Sequence, residues 1–564
     1  MNYDLVIRNG IVVDGSGRAG ARADVGIRGD RIETVGRIDE KGAHEIDAEG
    51  HVVTPGFVDG HTHLDAQICW DPLGTSAAWH GVTSVVMGNC GFSVAPCRES
   101  EKHLGLRSLE RAEDISAEVL AEGVEWRWET FRDYLNVVEA APKGIHHAAY
   151  VGHCALRTYV MGERAFEQAA TPDDVDAMRS ELEDALRAGA VGFTTSRSAS
   201  HQTSDDRPVA SRLADWDEVR RLVGVMGELG TGVFEIANEQ HADPGELAAY
   251  HTRLLDLAVE SGRPVSFIVA SSHQIPGGSG VLLDLLDRTA EAGGRMFGQA
   301  HSREFQALLS FRAGLPFDRL EGWKAFRDQP LEAQRVGLRD PALRRRLLEE
   351  ARRGDYGHAI GAEARPPDYD WIRIFDTPLP PHRTVAEMAS ERGVDPAELM
   401  IDLCLESDLD QLFVQPFANQ DLDAVLEILK HPRTVVGTSD TGAHVSQISD
   451  SSIPTHLLSY WVRDREAFSF EQAIRMLSFE PARAWGFLDR GLVREGFVAD
   501  LNVIDAARVA PRMPELVHDL PGGSPRFVQK SEGIAATVVA GECLLRDGVH
   551  TGALPGRLLR PGMA

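Results

Sequence analysis

Eight short apolar runs set the pattern of the middle of this chain: Gly56–Gly60, Thr83–Gly88, His147–Val151, Ala190–Thr194, Gly232–Ala237, Val265–Ala270, Arg295–Gln299 and Thr434–Gly437. Each is bounded by turn-forming or polar residues and has the length of a buried strand. Helical stretches separate most of them. The clearest is Thr171–Ala188: Thr171 can cap it, Pro172 suits the first turn, Asp173 and Asp174 face the positive end of the dipole, and Gly189 stops it. Strand and helix alternating over this length predict a parallel sheet. Eight strands predict a closed α/β barrel of the (β/α)8 TIM type, with a doubly wound open sheet as the alternative.

The flanks have a different rhythm. Asp4–Arg8, Gly10–Val13, Ala23–Arg28 and Arg31–Val35 read as strands at one end, and Asp500–Ile504, Ala535–Val539 and Glu542–Arg546 at the other. Turns are expected at Asn9-Gly10, Gly29-Asp30, Ala540-Gly541 and Asp547-Gly548. The expected organisation is a barrel over 56–490 and a small β domain built jointly from 1–55 and 491–564. Residues 302–433 are too long for one connection. About 305–375 is read as a helical insert or lid, and its charged run Arg344–Arg353 as a solvated helix face.

Composition narrows the function. With 43% apolar residues in 564, the chain can bury a large interior, and a net charge of −28 argues against nucleic acid or an anionic membrane as partner. Six cysteines without a CxxC pair do not suggest a disulfide framework. Neither a signal-peptide pattern nor a membrane-length apolar run is visible, so a soluble cytoplasmic protein is expected, with homo-oligomerisation left open.

The chemistry gathers at the strand ends. The first run leads into His61 and His63, and residues two apart in a strand share a face, so both imidazoles can aim at one metal ion. The second ends in Gly88-Asn89-Cys90-Gly91, the third in His153, the fourth in Ser196-Arg197; the fifth contains Glu235; the others lead into His273, His301 and Asp440. In a barrel these ends form the catalytic face. Cys90 can approach a metal as thiolate, and Asp440 can bind metal and shuttle a proton.

Val53-Thr54-Pro55-Gly56-Phe57-Val58-Asp59-Gly60-His61-Thr62-His63 resembles the entrance to the amidohydrolase superfamily barrel. Gly88-Asn89-Cys90-Gly91 resembles the mark of its N-acyl-D-amino-acid deacylase (D-aminoacylase) branch, where cysteine replaces a carboxylated lysine as ligand. Gly152–Arg157, Ser272-His273, Thr438-Ser439-Asp440 and the closing Leu554–Arg560 are similar too. The resemblance covers nearly the whole chain. It implies a zinc-dependent barrel with one or two ions and a small β-sandwich made from both ends. The chain departs from that pattern where Glu235 replaces a strand-five histidine ligand, and where Ile275 and Asp450 replace a lysine and an arginine that hold the substrate carboxylate.

The expected reaction is hydrolysis of a linear amide, an N-acyl-D-amino acid giving carboxylate and free D-amino acid. Some combination of His61, His63, Cys90, Glu235, His273 and Asp440 holds the metal, and Asp440 moves the proton. His153 or His301 is a candidate oxyanion donor, and Arg157, Arg197 and Arg303 are candidate carboxylate partners. The alternatives are another metal-dependent C–N hydrolase acting on a cyclic amide, a carbamate or a small peptide; a deaminase; and a non-catalytic scaffold.

Overall fold

The structure is a computed structural model and describes residues 3–357, 359, 365–445 and 450–561. All eight central runs form strands: β1 (Phe57–Thr62), β2 (Val82–Met87), β3 (His146–Ala149, continued by Val151–Gly152), β4 (Gly192–Ser196), β5 (Val233–Ala237), β6 (Val265–Ile268), β7 (Met296–Ala300) and β8 (Thr434–Val436). Each pairs in parallel with the next in chain order, from β1·β2 to β7·β8. Just beyond β8, Thr441 bridges in parallel to Thr62 at the end of β1. The Asp440 N–H donates to the His61 carbonyl at 3.2 Å, and the His63 N–H to that of Thr441 at 2.8 Å.

Helices Pro172–Ala188, Trp216–Leu229, Pro244–Ser261 and Gly278–Glu291 fill the intervals from β3 to β7. Each buries an apolar stripe (Leu182, Leu222, Leu254 and Leu286 among it) in one cluster shared with the strands. The first has the expected ends. Thr171 and Asp174 form a reciprocal capping box, and Gly189 takes a left-handed conformation at the stop.

The flanking strands form two larger sheets, besides two two-stranded ladders within 510–532. One runs in the order Arg31–Gly36, Asp24–Arg28, Tyr3–Arg8, Gly42–Asp47. In the other, Val52–Pro55 pairs antiparallel with Leu501–Ile504, so segments from opposite parts of the chain share a ladder. Leu5, Ile27, Val53, Val503 and Val538 from the two sheets pack in one apolar cluster.

The insert is larger than its sequence signal and is not purely helical. Phe305–Leu309, Arg373–Phe375 and Leu412–Ala418 form an antiparallel sheet, with five α-helices between its strands among the described residues. Its own core runs from Ala307 to Phe413 and includes Trp323, Leu347 and Ile401. The third strand lies past residue 375, where the sequence reading stopped. Residues 358 and 360–364 of the expected insert lie outside the described residues.

Candidate active site

The site begins with strand β1, buried along its whole length. On one face, Gly60 makes room for the Trp485 indole; a Cβ there would come within 2.0 Å of the ring. His61 and His63 take the opposite face, their ring centroids 5.4 Å apart. The turn after β2 brings the third donor. The Asn89 carboxamide donates to the carbonyls of Thr62 and Val86, tying the ends of β1 and β2. Gly91 has positive φ and packs against β4, where a Cβ would lie 2.7 Å from the Ser196 nitrogen. Between them Cys90 adopts a left-handed conformation (φ 55°) that places its Sγ 3.4 Å from His61 Nε2. The three donor atoms of His61, His63 and Cys90 lie within 4.8 Å of one another.

Asp440 closes the group from the other side. Its Oδ1 stands 3.2 Å from His61 Nε2 and 3.5 Å from His63 Nε2. Burial opposes its ionisation, but the contacts with both imidazoles outweigh burial and hold the carboxyl well below the usual carboxylate range. Burial likewise disfavours charge on His63, yet the acids Glu113, Asp440 and Asp65 hold it up at about 9. Glu235 is fully buried beside the group. Its Oε2 accepts the Cys90 N–H at 2.8 Å, its Oε1 has no hydrogen-bond partner, and burial pushes its carboxyl up to about 7. Burial and the neighbouring acids raise the Cys90 thiol.

This is a pocket of donors surrounded by negative charge. Two imidazoles, a thiol and a carboxylate converge, and a buried carboxylate oxygen beside them is unmatched. Such a mixed nitrogen, sulfur and oxygen set suits zinc, and the residues present fit a divalent ion.

Two supporting residues escaped the sequence reading. Gln299, on β7, accepts the His61 Nδ1–H at 2.6 Å and donates to the Ser266 hydroxyl at 3.0 Å, which turns His61 Nε2 toward the group. Strand alternation placed Gln299 on the same face as His301, but a glutamine carried no metal signal. Glu113, buried at the end of helix Lys102–Ala112, sets its Oε2 3.4 Å from His63 Nδ1. Nothing in the local sequence marks it.

Other expected site residues lie elsewhere. His153 uses one ring nitrogen on Thr195 and the other on Glu218, both at 2.8 Å, so it cannot turn to a substrate oxygen. Arg157 is fully buried against the same Glu218. Arg197 pairs with Glu239 at 2.9 Å. Arg303 donates to the Ser452 hydroxyl at 2.6 Å, and His301 Nδ1 lies 2.8 Å from the Arg303 carbonyl oxygen. His273 is exposed on the turn after β6 and stacks on Trp371 of the insert, outside the donor group. Ile275 is exposed nearby, and the Asp450 side chain is outside the described residues.

Above the donors opens a cavity of about 290 Å³, with His63, Cys90, Glu113 and Asp440 in its lining and Phe305 and Phe417 of the insert in one wall. A larger cavity of about 410 Å³ at the flanking sheets contains none of the candidate residues. No helix among the described residues is long and apolar enough to cross a membrane.

The model of the Amidohydrolase family matches residues 44–545. The D-aminoacylase of Alcaligenes xylosoxydans xylosoxydans is 28% identical, with 99% of this chain and 97% of that protein aligned. An uncharacterized protein of Mycobacterium tuberculosis is 27% identical, covering 100% of this chain and 96% of its own length. The crystal structure of N-acyl-D-glutamate deacylase from Bordetella bronchiseptica, complexed with zinc and a phosphonate inhibitor, superposes with a TM-score of 0.66 at 25% identity, over 99% of this chain and 100% of that one. The chain belongs to the amidohydrolase family and, as a member, is a hydrolase of carbon–nitrogen bonds other than peptide bonds.

Proposed function

We propose that this protein is a zinc-dependent hydrolase of linear amides in the N-acyl-D-amino-acid series, releasing a carboxylate and an amine. The observation that carries the reading is the convergence of His61, His63 and Cys90 with Asp440 at the cavity floor. The architecture that goes with it is a closed (β/α)8 barrel, with the flanking sheets as a β-sandwich and the segment around Phe305–Ala418 as the insert. The relatives support the substrate class, since a D-aminoacylase, an N-acyl-D-aspartate deacylase and an N-acyl-D-glutamate deacylase of Alcaligenes xylosoxydans xylosoxydans align along nearly the whole chain at 28–29% identity.

His61, His63, Cys90 and Asp440 would hold one ion, and the unmatched Glu235 oxygen is available to the same ion or a second. When bound, zinc supplies Lewis acidity that makes water nucleophilic near neutral pH and polarises a carbonyl. The rest falls to the chain. Gln299 and Glu113 orient the two imidazoles. Asp440, ionised and aimed at the donor group, accepts a proton from the attacking water and returns it to the departing nitrogen. Phe305 and Phe417 present an apolar wall suited to an acyl chain or an apolar side chain.

The test is zinc per chain on protein purified without chelator, together with amine release from matched N-acyl-D- and N-acyl-L-substrates. Zinc with D-selective release is expected. Zinc without release from either series would retain a metal hydrolase and reject the substrate class. Protein that neither holds zinc nor gains activity when zinc is supplied would reject the proposal.

A further inference from the structure

The cavity above the donors is unusual in its charge. Among the described residues no lysine or arginine lines it, while Glu113 and Asp440 both do. Arginines near it have other partners: Arg197 pairs with Glu239, Arg303 donates to Ser452, Arg212 donates to the Ala199 and His201 carbonyls, and Arg365 lies over the Phe417 ring at 4.6 Å.

Four neutral polar side chains, Ser198, Ser200, Asn238 and Gln240, share the lining with His63, His201 and His444. They are held in a network: Gln240 Nε2 donates to Ser198 Oγ at 3.1 Å, Ser198 and Ser200 share a 2.6 Å hydrogen bond, and Tyr250 donates to Asn238 Oδ1 at 2.9 Å. With its oxygen so engaged, Asn238 keeps its NH2 donors for a carbonyl group. A carboxylate brought against these side chains would lose water with no lysine or arginine among the described lining residues to pair with, a cost that grows with burial. A neutral carboxamide would find donors and acceptors at no such cost.

From this we infer that the cavity takes amides whose amine side carries no free carboxylate: the α-carboxyl of the amino-acid unit is blocked as a carboxamide or a further amide link. The inference rests on the N-acyl hydrolase reading and narrows its amine side. The reaction balances as R–CO–NH–CHR′–CO–NH2 plus water giving R–COOH and H2N–CHR′–CO–NH2. The acyl C–N bond breaks, a C–O bond forms, and the proton passes to nitrogen.

Zinc-loaded full-length protein is given N-acetyl-D-leucine and N-acetyl-D-leucinamide, and acetate, the product common to both, is measured. The amide is expected to have a kcat/KM at least about tenfold higher, the equivalent of one unpaired-charge penalty of about 1.4 kcal/mol. Gln240→Arg, which adds a cation to the polar wall, is expected to narrow that ratio, and Arg365→Ala to leave it unchanged. Equal or faster turnover of the free acid would overturn the inference while leaving amide hydrolysis intact. Selective loss of free-acid turnover in Arg365→Ala would overturn it too, by identifying a hidden carboxylate partner. Acetate from neither compound would overturn both the inference and the N-acyl reading.

Discussion

Two buried histidine–acid clusters sit at strand ends a short way apart, and they differ in what they leave over. In the first, His153 spends both ring nitrogens at 2.8 Å, and Glu218 is shared between it and Arg157. Burial keeps His153 below the usual histidine range, and Glu218 stays ionised against burial because His153 and Arg157 hold it down at about 2. In the second, His61 Nε2 stands 3.4 Å from Cys90 Sγ and 3.2 Å from Asp440 Oδ1, His63 Nε2 stands 3.5 Å from the same oxygen, and the Glu235 Oε1 beside them has no hydrogen-bond partner. Both set buried histidine against acid; what separates an internal brace from a candidate reactive centre is whether the polar atoms have already found partners.

The comparison can be broken most severely at Asp440. Asp440→Asn is expected to cut kcat by at least about a thousandfold. Asparagine tolerates the left-handed backbone found there (φ 50°), so circular dichroism and the melting temperature should stay close to wild type. Retained turnover would place the proton shuttle elsewhere.

Next in size is the brace. Glu218→Gln is expected to lower stability at neutral pH by about 3 kcal/mol, measured by denaturant unfolding. The sign follows from a carboxyl held at about 2 instead of its ordinary 4.5: its contribution is complete above the unfolded value and disappears as pH falls toward 2. Wild type and variant should therefore converge in stability between pH 5 and pH 2, on the order of the carboxylate range. A gap that stays constant through that window would show that ionisation of Glu218 does not supply the stability. Zinc content should be untouched, because no candidate ligand contacts this cluster.

The smallest effect sharpens the other side. Gln299→Ala frees His61 Nδ1 and is expected to weaken zinc binding about 10–100-fold with the fold preserved, read by competition with a chelator. Affinity equal to wild type would reduce Gln299 to a packing residue.

Much of the frame was legible because buried strands advertise themselves as short apolar runs between turn signals, and all eight fall where the pattern put them. His61, His63, Cys90 and Asp440 were legible because a strand end fixes where such residues stand. His153 and Arg157 misled for the same reason: a strand-end position says nothing of which way a side chain on the following helix turns, and theirs turn inward to Glu218 of another helix. Glu113 and Gln299 matter only through contacts with β1 made by the fold, so no local spacing could reveal them. The third strand of the insert was hidden similarly, since Leu412–Ala418 finds its partner Phe305–Leu309 across a stretch of intervening helices.

The ladder between Val52–Pro55 and Leu501–Ile504 has a consequence in time. Val52–Pro55 runs through Gly56 straight into the strand that carries both histidines, and the Gly56 N–H is itself held by the Asp500 carbonyl at 2.8 Å. During synthesis that histidine strand leaves the ribosome early, while the segment that pins its root arrives only after the whole middle of the chain has been made. Until then its root is held on one side alone, by Ile11–Val12, and contacts as distant in sequence as the second ladder are among the slowest to form. The strand that carries His61 and His63 is therefore among the last parts of the molecule to have its root paired on both sides.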